Sequence, residues 1–232
     1  MKVEIWSDFV CPFCFIGKTY YEQALAQFPH RDRIETIYRS FELNPNEDSS
    51  KMTSTLQSLA TKYGMSIEQA KGMTNQVASQ AKQAGLTFNF DRMISVNTFD
   101  AHRLSIYAQK QGKGKDFIEQ LFTAYFTDNE IISDTTVLTK IAVNVGLQQD
   151  EVENILNSSE FTTEVRAEEE EASQLGVRGV PFFVFDRKYA ISGAQPVQAF
   201  VDTLQRAWDE HSDQFITLSG DATACSIDGQ NC

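Results

Sequence analysis

The sequence predicts an α/β protein in which the two ends of the chain build one small sheet around a long helical insertion. Three observations carry this. Residues 1–41 read as strand, helix, strand. Residues 181–211 read as strand, strand, helix. Between about 50 and 174 the apolar residues recur at helical spacing. The first two strands need partners, and the strands at the far end are the available ones.

Each element has its own signal. Val3 and Ile5 alternate with Lys2 and Glu4, as in a strand. After Cys11 the residues Phe15, Ile16, Ala24, Leu25 and Phe28 mark a helix that Pro29 stops. Residues 33–41 are rich in Ile, Thr, Tyr and Phe and read as a second strand, broken by Asn44-Pro45-Asn46. A helix is expected over 52–63, and Ser66-Ile67-Glu68-Gln69 is a capping box opening the next. Asn97 is placed as an N-cap with Asp100 at N3. Phe117, Ile118, Leu121, Phe122, Tyr125 and Phe126 form one apolar stripe and are assigned to the core. Helices over 136–145, 151–156 and 164–174 follow. Residues 181–185 and 189–192 are strands joined by Asp186-Arg187-Lys188. Pro196 then opens a helix whose Val197, Phe200, Val201, Leu204, Ala207 and Trp208 share a face. The domain reading is therefore one sheet domain from 1–48 and 175–211, a helical insertion over 49–174, and a polar tail over 212–232.

The chain has 232 residues, 20 Lys plus Arg and 32 Asp plus Glu, for a net charge of −12; 41% is hydrophobic and 22% charged. That is a soluble globular composition, not a disordered one. The acidic balance argues against nucleic acid or an anionic membrane as partner. The longest apolar run, 180–185, falls far short of the ~18 residues that span a bilayer. Residues 1–8 are too polar for a signal peptide, which places the protein in the cytoplasm, where thiols are kept reduced; a processed chain beginning at Met1 fits the same pattern.

The four cysteines, Cys11, Cys14, Cys225 and Cys232, sit at the two ends as two pairs. A disulfide scaffold would spread them through the fold. Cys11-Pro12-Phe13-Cys14 follows a strand and opens a helix. The N–H groups and dipole of that helix end favour a thiolate, which makes Cys11 the nucleophile. Cys14, one turn on, can attack a mixed disulfide made by Cys11. Pro12 suits the first helical turn because its missing N–H has no partner there anyway. Phe13 is expected to be partly exposed and to offer substrates an apolar contact. A structural zinc site wants tight ligand pairs, and Cys225-x6-Cys232 is too loose, so no metal is expected.

These motifs resemble the thioredoxin superfamily, and the helical insertion resembles its DsbA branch. Ser7-Asp8-Phe9-Val10-Cys11-Pro12, Phe41-Glu42-Leu43-Asn44-Pro45, Asn97-Thr98-Phe99-Asp100-Ala101-His102-Arg103-Leu104, and Gly179-Val180-Pro181-Phe182 followed by Ile191-Ser192-Gly193-Ala194-Gln195 are together similar to the FrnE-type DsbA-like oxidoreductases. The 2-hydroxychromene-2-carboxylate isomerases and kappa-class glutathione transferases share this fold. The resemblance covers residues 1–209. It implies a cis bond at Val180–Pro181, packing of that loop beside the cysteines, and strand-like pairing of Val180 with an extended substrate. The isomerase relatives have serine where this chain has Cys11, which favours thiol–disulfide exchange here. Those relatives bind glutathione near the loops matching Val180 and Gly193, Ala194 and Gln195.

The function expected is therefore a cytoplasmic thiol–disulfide oxidoreductase with no bound cofactor, acting on protein thiols or disulfides, or on glutathione as co-substrate. It is expected as a monomer or homodimer. A glutathione-dependent isomerase or transferase is one alternative, and a redox-regulated holdase binding unfolded chains near Phe13 is another. Asp228-Gly229 is a turn signal between Cys225 and Cys232, and the 17 residues after Trp208 can span up to ~55 Å. The tail pair can thus relay disulfides to or from Cys11 and Cys14, or be a bystander. His102 is read as packing within the helical region, with an active-site role as the alternative. His30 and His211 are read as surface residues, and Glu168–Glu171 as a solvated helix face.

Overall fold

The strand signal at the start of the chain becomes β1 (Lys2–Ser7), which is buried from Val3 onward. The structure is a computed structural model and describes residues 1–212. α1 (Pro12–Gln27) crosses to β2 (Glu35–Ser40), which pairs parallel to β1. The far end returns β3 (Phe182–Phe185) antiparallel to β1, with Val3 opposite Phe185 and Trp6 opposite Phe182. β4 (Tyr189–Ser192) pairs antiparallel to β3, so the strand order is β2-β1-β3-β4. α9 (Val197–Ser212) lies against α1. The fold class expected from the sequence is the one observed.

Between β2 and β3 run α2 (Thr55–Tyr63), α3 (Ile67–Gln83), α4 (Phe99–Lys110), α5 (Gly114–Phe126), α6 (Thr135–Asn144), α7 (Gln149–Leu156) and α8 (Thr162–Gln174). Ser66 and Gln69 form the expected capping box. The Asn97 cap is displaced by one residue. Asn97 Oδ1 accepts the Phe99 N–H at 2.9 Å in a turn just upstream, so Thr98 occupies the N-cap position. Asp100 then turns to the Arg103 guanidinium at 2.8 Å instead of reaching back. Strand β2 starts two residues later than expected because Arg31–Arg33 form a short 3-10 turn.

One apolar core joins the sheet side to the helices. Phe15 of α1 stacks on Phe122 of α5 with ring centroids 4.9 Å apart, and Phe9 packs on Phe122 at 5.5 Å. Such pairs add to the burial of ~150–250 Å² per ring. The stripe predicted from Phe117 to Phe126 is core, with Phe117, Phe122 and Phe126 fully buried. Lys18 of α1 is buried too, and its ammonium pairs with Glu22 at 2.9 Å and with Glu119 of α5. A buried ammonium is tolerated only when paired, so this cluster holds α1 to α5.

The acidic run of α8 is not a solvated face. Glu168 Oε2 accepts the Ser40 N–H at 2.8 Å while its Oε1 pairs with Arg39 at 3.0 Å. Glu169 accepts the Glu42 N–H at 3.1 Å, and Glu171 pairs with Arg187 at 2.7 Å. Gln109 of α4 completes the edge: its Oε1 accepts the Tyr38 N–H at 2.8 Å and its Nε2 donates to the Tyr38 carbonyl at 3.0 Å. Its carboxamide thus stands where a neighbouring strand would, and an open edge of β2 is closed by side chains. The polar side of β1 is buried as well. Burial pushes the Glu4 carboxyl up, but hydrogen bonds from Arg187 and Arg39 outweigh it and hold it below the usual range.

Replacing Gln109 by Leu leaves both Tyr38 backbone groups unpaired on a half-buried edge. The expected cost is about 2 kcal/mol, read as a lower urea midpoint at unchanged slope; an unchanged midpoint would show that water satisfies this edge equally well.

Candidate active site

The chain leaves β1 at Ser7 and turns sharply. The Cys11 N–H donates to the Asp8 carbonyl at 3.1 Å, which sets Cys11 at the N-cap of α1 in an extended conformation. Pro12 takes the first helical position and costs no hydrogen bond there. The Cys14 N–H closes the first turn on the Cys11 carbonyl at 3.0 Å. Both cysteines are thiols. Cys14 lies deeper, 1% exposed, and its Sγ accepts the Asp8 N–H at 3.4 Å. Burial, and then the Cys11 thiol beside it, push the Cys14 thiol well above the ordinary range; the Ser7 hydroxyl and the Asp8 N–H pull it only part of the way back.

The loop before β3 meets this pair from the other end of the chain. The Val180–Pro181 bond is cis. The Cys11 thiol donates to the Val180 carbonyl at 3.5 Å. The Pro181 carbonyl accepts the Gly193 N–H at 2.8 Å, which ties the loop to the residues after β4. Gly17 is what lets α1 approach so closely: a Cβ there would stand 3.0 Å from Pro181 Cγ, 3.3 Å from Phe183 and 3.4 Å from the Ala194 Cα. The sequence reading passed over Gly17, whose signal was a glycine one turn beyond the cysteine pair on a helix interior.

Phe13 is 40% exposed and stands between two clefts. One, about 740 Å³, is lined by Phe13, Ile16, Tyr20, Val180, Gly193 and Ala194, with Gln80 and Gln83 of α3 opposite. Three of the four residues singled out for glutathione contact therefore share this cleft. Gln195 is not on its wall, since its carboxamide turns to the Ser192 carbonyl at 3.0 Å. The other cleft, about 840 Å³, has Cys11, Pro12, Phe13 and Leu43 at one side and Tyr63, Met73, Met93 and Tyr125 of the helical region at the other.

His102 does not stay within the helical region. Its ring packs on Phe9 at 4.7 Å, and its Nε2 lies 3.5 Å from Asp8 Oδ1. Asp8 is the second residue the sequence reading missed, a carboxylate three positions before the first cysteine and fully buried. Its Oδ2 accepts the Leu43 N–H at 2.7 Å. Among the described residues no group of three or more His, Cys, Asp or Glu converges to hold a metal. Cys225 and Cys232 lie outside the described residues. His30 is exposed and stacks on Trp208 at 4.5 Å, and His211 pairs with Asp186 at 2.9 Å.

Comparisons with known proteins report which family and fold this chain shares. A family model described as DSBA-like thioredoxin domain matches residues 2–205. The crystal structure of a probable DsbA oxidoreductase from Streptomyces coelicolor is 42% identical, superposes with a TM-score of 0.88, and is covered over 99% of this chain and 97% of that one. The cytosolic disulfide reductase DsbM from Pseudomonas aeruginosa, in a structure with GSH, shares the fold at 12% identity and TM-score 0.60, over 92% of this chain and 98% of that one. An uncharacterized protein of Bacillus subtilis, YwbO, is 26% identical over 79% of this chain and 86% of its own length.

Two outcomes follow from the site. Because the thiolate is the reactive form, iodoacetamide at pH 7.5 should modify Cys14 of the native reduced protein at least about tenfold more slowly than in urea, since one unit of pKa is tenfold in thiolate; peptide mass spectrometry reads this, and equal rates would contradict the burial. Gly17→Val should drive a methyl pair into Pro181 and cost about 1–3 kcal/mol, with a lower urea midpoint.

Proposed function

The chain belongs to the DSBA-like thioredoxin domain family, and from that premise we propose that it is a cytoplasmic thiol–disulfide oxidoreductase of the FrnE type working through Cys11 and Cys14. The observation that carries this is the pairing of Cys11, which lines the larger cleft, with the carbonyl of Val180, which lines the smaller one, beside a Cys14 that is buried and kept as a thiol. In the reducing direction the Cys11 thiolate attacks a substrate disulfide and expels one substrate thiolate. Cys14 then loses its proton and attacks Cys11 Sγ; the second substrate sulfur leaves as thiolate and the enzyme keeps both cysteines as a disulfide. The oxidising direction is the reverse.

The neighbouring carbonyl of Val180 supports a substrate chain that lies extended beside Cys11. Pro181 shapes that loop, and Pro12 and Phe13 form its opposite wall. The cleft shared by Val180, Gly193 and Ala194, together with the glutathione-bound state of the Pseudomonas disulfide reductase, supports glutathione as one thiol partner. The cysteine at position 11 favours this exchange over isomerase chemistry. The sequence separation and spacing of Cys225 and Cys232 support a second couple that passes disulfides to the first.

The test is a glutathione redox titration with alkylated thiols located by mass spectrometry, alongside Cys14→Ser. Wild type should cycle Cys11–Cys14 as one two-electron couple. Cys14→Ser should accumulate glutathione on Cys11 and lose turnover by roughly a hundredfold or more, because no second sulfur can release the adduct. Turnover retained in Cys14→Ser would instead support a glutathione-dependent transferase or isomerase.

A further inference from the structure

The smaller cleft beside the cysteines has two unlike walls. One is built by α1 and the loops around β3 and β4, with Phe13, Ile16, Val180 and Ala194 on it. The other is α3, which contributes Gln80 and Gln83. Ala81 and Ala84, on the same turn, are buried in the main core and hold this stretch of α3 in place. Residues three apart are neighbours on a helix surface, so the two carboxamides form one pair, with a rise of about 4.5 Å between their positions. Neither carboxamide has a hydrogen-bond partner among the described residues. No Lys, Arg, Asp or Glu lines this cleft among the described residues.

The main chain of Val180 lies on the wall across from α3. Its N–H has no partner among the described residues, and its carbonyl takes the Cys11 thiol at 3.5 Å. The exchange removes that thiol. When Cys11 Sγ bonds a substrate sulfur, its proton has gone to solvent and the other substrate sulfur has left with the electron pair as a thiolate. The Val180 carbonyl is then a free acceptor. A substrate chain joined to Cys11 meets a free N–H and a free C=O there, as on a strand edge. An extended chain carries such groups on both edges, and its second edge also needs partners once water is displaced. The groups on one edge recur about every 7 Å, within reach of two glutamine side chains one helical turn apart. This molecule already uses the device once: the Gln109 carboxamide takes the Tyr38 N–H at 2.8 Å and the Tyr38 carbonyl at 3.0 Å.

We propose that Gln80 and Gln83 bind the main chain of a polypeptide substrate on the edge turned away from Val180, and so favour protein segments over glutathione as the partner of Cys11. This rests on the exchange reading above. Glutathione carries its carboxylates and its ammonium at its two ends, and no charged side chain lines the cleft to take them. A protein segment presents neutral amides along its length. A carboxamide, with two N–H donors and one carbonyl acceptor, matches those amides.

The experiment uses the full-length reduced chain and two disulfides: glutathione disulfide, and the disulfide dimer of a short neutral peptide, acetylated and amidated, with cysteine at its centre. Formation of the Cys11–Cys14 disulfide is followed by acid quench and peptide mass spectrometry over a range of disulfide concentrations. Gln80→Ala with Gln83→Ala should raise the half-saturating peptide concentration about tenfold at the same limiting rate, the effect of two lost hydrogen bonds of ordinary net strength. The preference for peptide over glutathione disulfide should fall by the same factor. Gln76→Ala, on α3 but outside the cleft, is the control and should change neither quantity. Peptides N-methylated at one position at a time should show the contact directly. Methylation on the edge facing α3 should weaken binding to the unsubstituted chain and have no further effect on the double variant. An equal loss with both disulfides would mean that the carboxamides only shape the cleft, and an unchanged half-saturating concentration would mean that they bind nothing; the proposal falls in either case. It also falls if the loss is in limiting rate alone, or if methylation and the double variant act independently at every position. If neither disulfide oxidises Cys11 and Cys14 of the unsubstituted chain, the exchange reading itself is overturned.

Discussion

The antiparallel ladder between β1 and β3 is the constraint on which the site depends. It joins strands from opposite ends of the chain and delivers Cys11 to within 3.5 Å of the Val180 carbonyl, 169 residues away in sequence. Neither strand contains the reacting groups. β1 ends one turn before the cysteines and β3 begins just after the cis proline, so the register of Trp6 with Phe182 sets the distance between the two loops. A strand register slip moves every side chain to the other face, and the pairing is pinned by Val3, Ile5, Phe183 and Phe185, all at 1% exposure or less.

The helices between the two halves do more than enlarge the core. They finish the sheet chemically. Gln109, Glu168 and Glu169 supply acceptors and a donor to an edge that has no neighbouring strand. They also reach the site from behind. His102 of α4 faces Asp8, Phe122 of α5 packs on Phe9 and Phe15, and Tyr63, Met73 and Met93 wall the larger cleft. The two thiols therefore meet different surroundings: Cys11 lines the larger cleft, while Cys14 is enclosed beneath it with the Asp8 N–H on its sulfur.

Charge is placed inside this molecule with compensation. Glu4 sits between Arg39 and Arg187, Arg39 in turn holds Glu168, and Lys18 lies between Glu22 and Glu119. A buried ion pair is retained against its desolvation cost when every partner is present. Asp8, His102 and Glu42 depart from that pattern, with one unpartnered atom each.

By itself the sequence determined the order and type of the elements, the meeting of the two ends in one sheet, and the exposure of Phe13. Periodicity, caps and breakers are local signals, and a CxxC between strand and helix carries its chemistry in its immediate neighbours. The tertiary structure alone decided the partners of the polar residues. An acidic run on α8 looked like a solvated face because its spacing says nothing of Arg39 and Ser40 on β2 or of Arg187 in the β3–β4 turn, which complete it. His102 looked like a helix residue because its partner lies 94 positions earlier, across the core. Asp8 and Gly17 are single residues with no period, so their meaning appears only when Cys14 and Pro181 are brought against them. Backbone form follows from interactions between near neighbours in the chain; which buried charges face each other follows from the packing of distant ones.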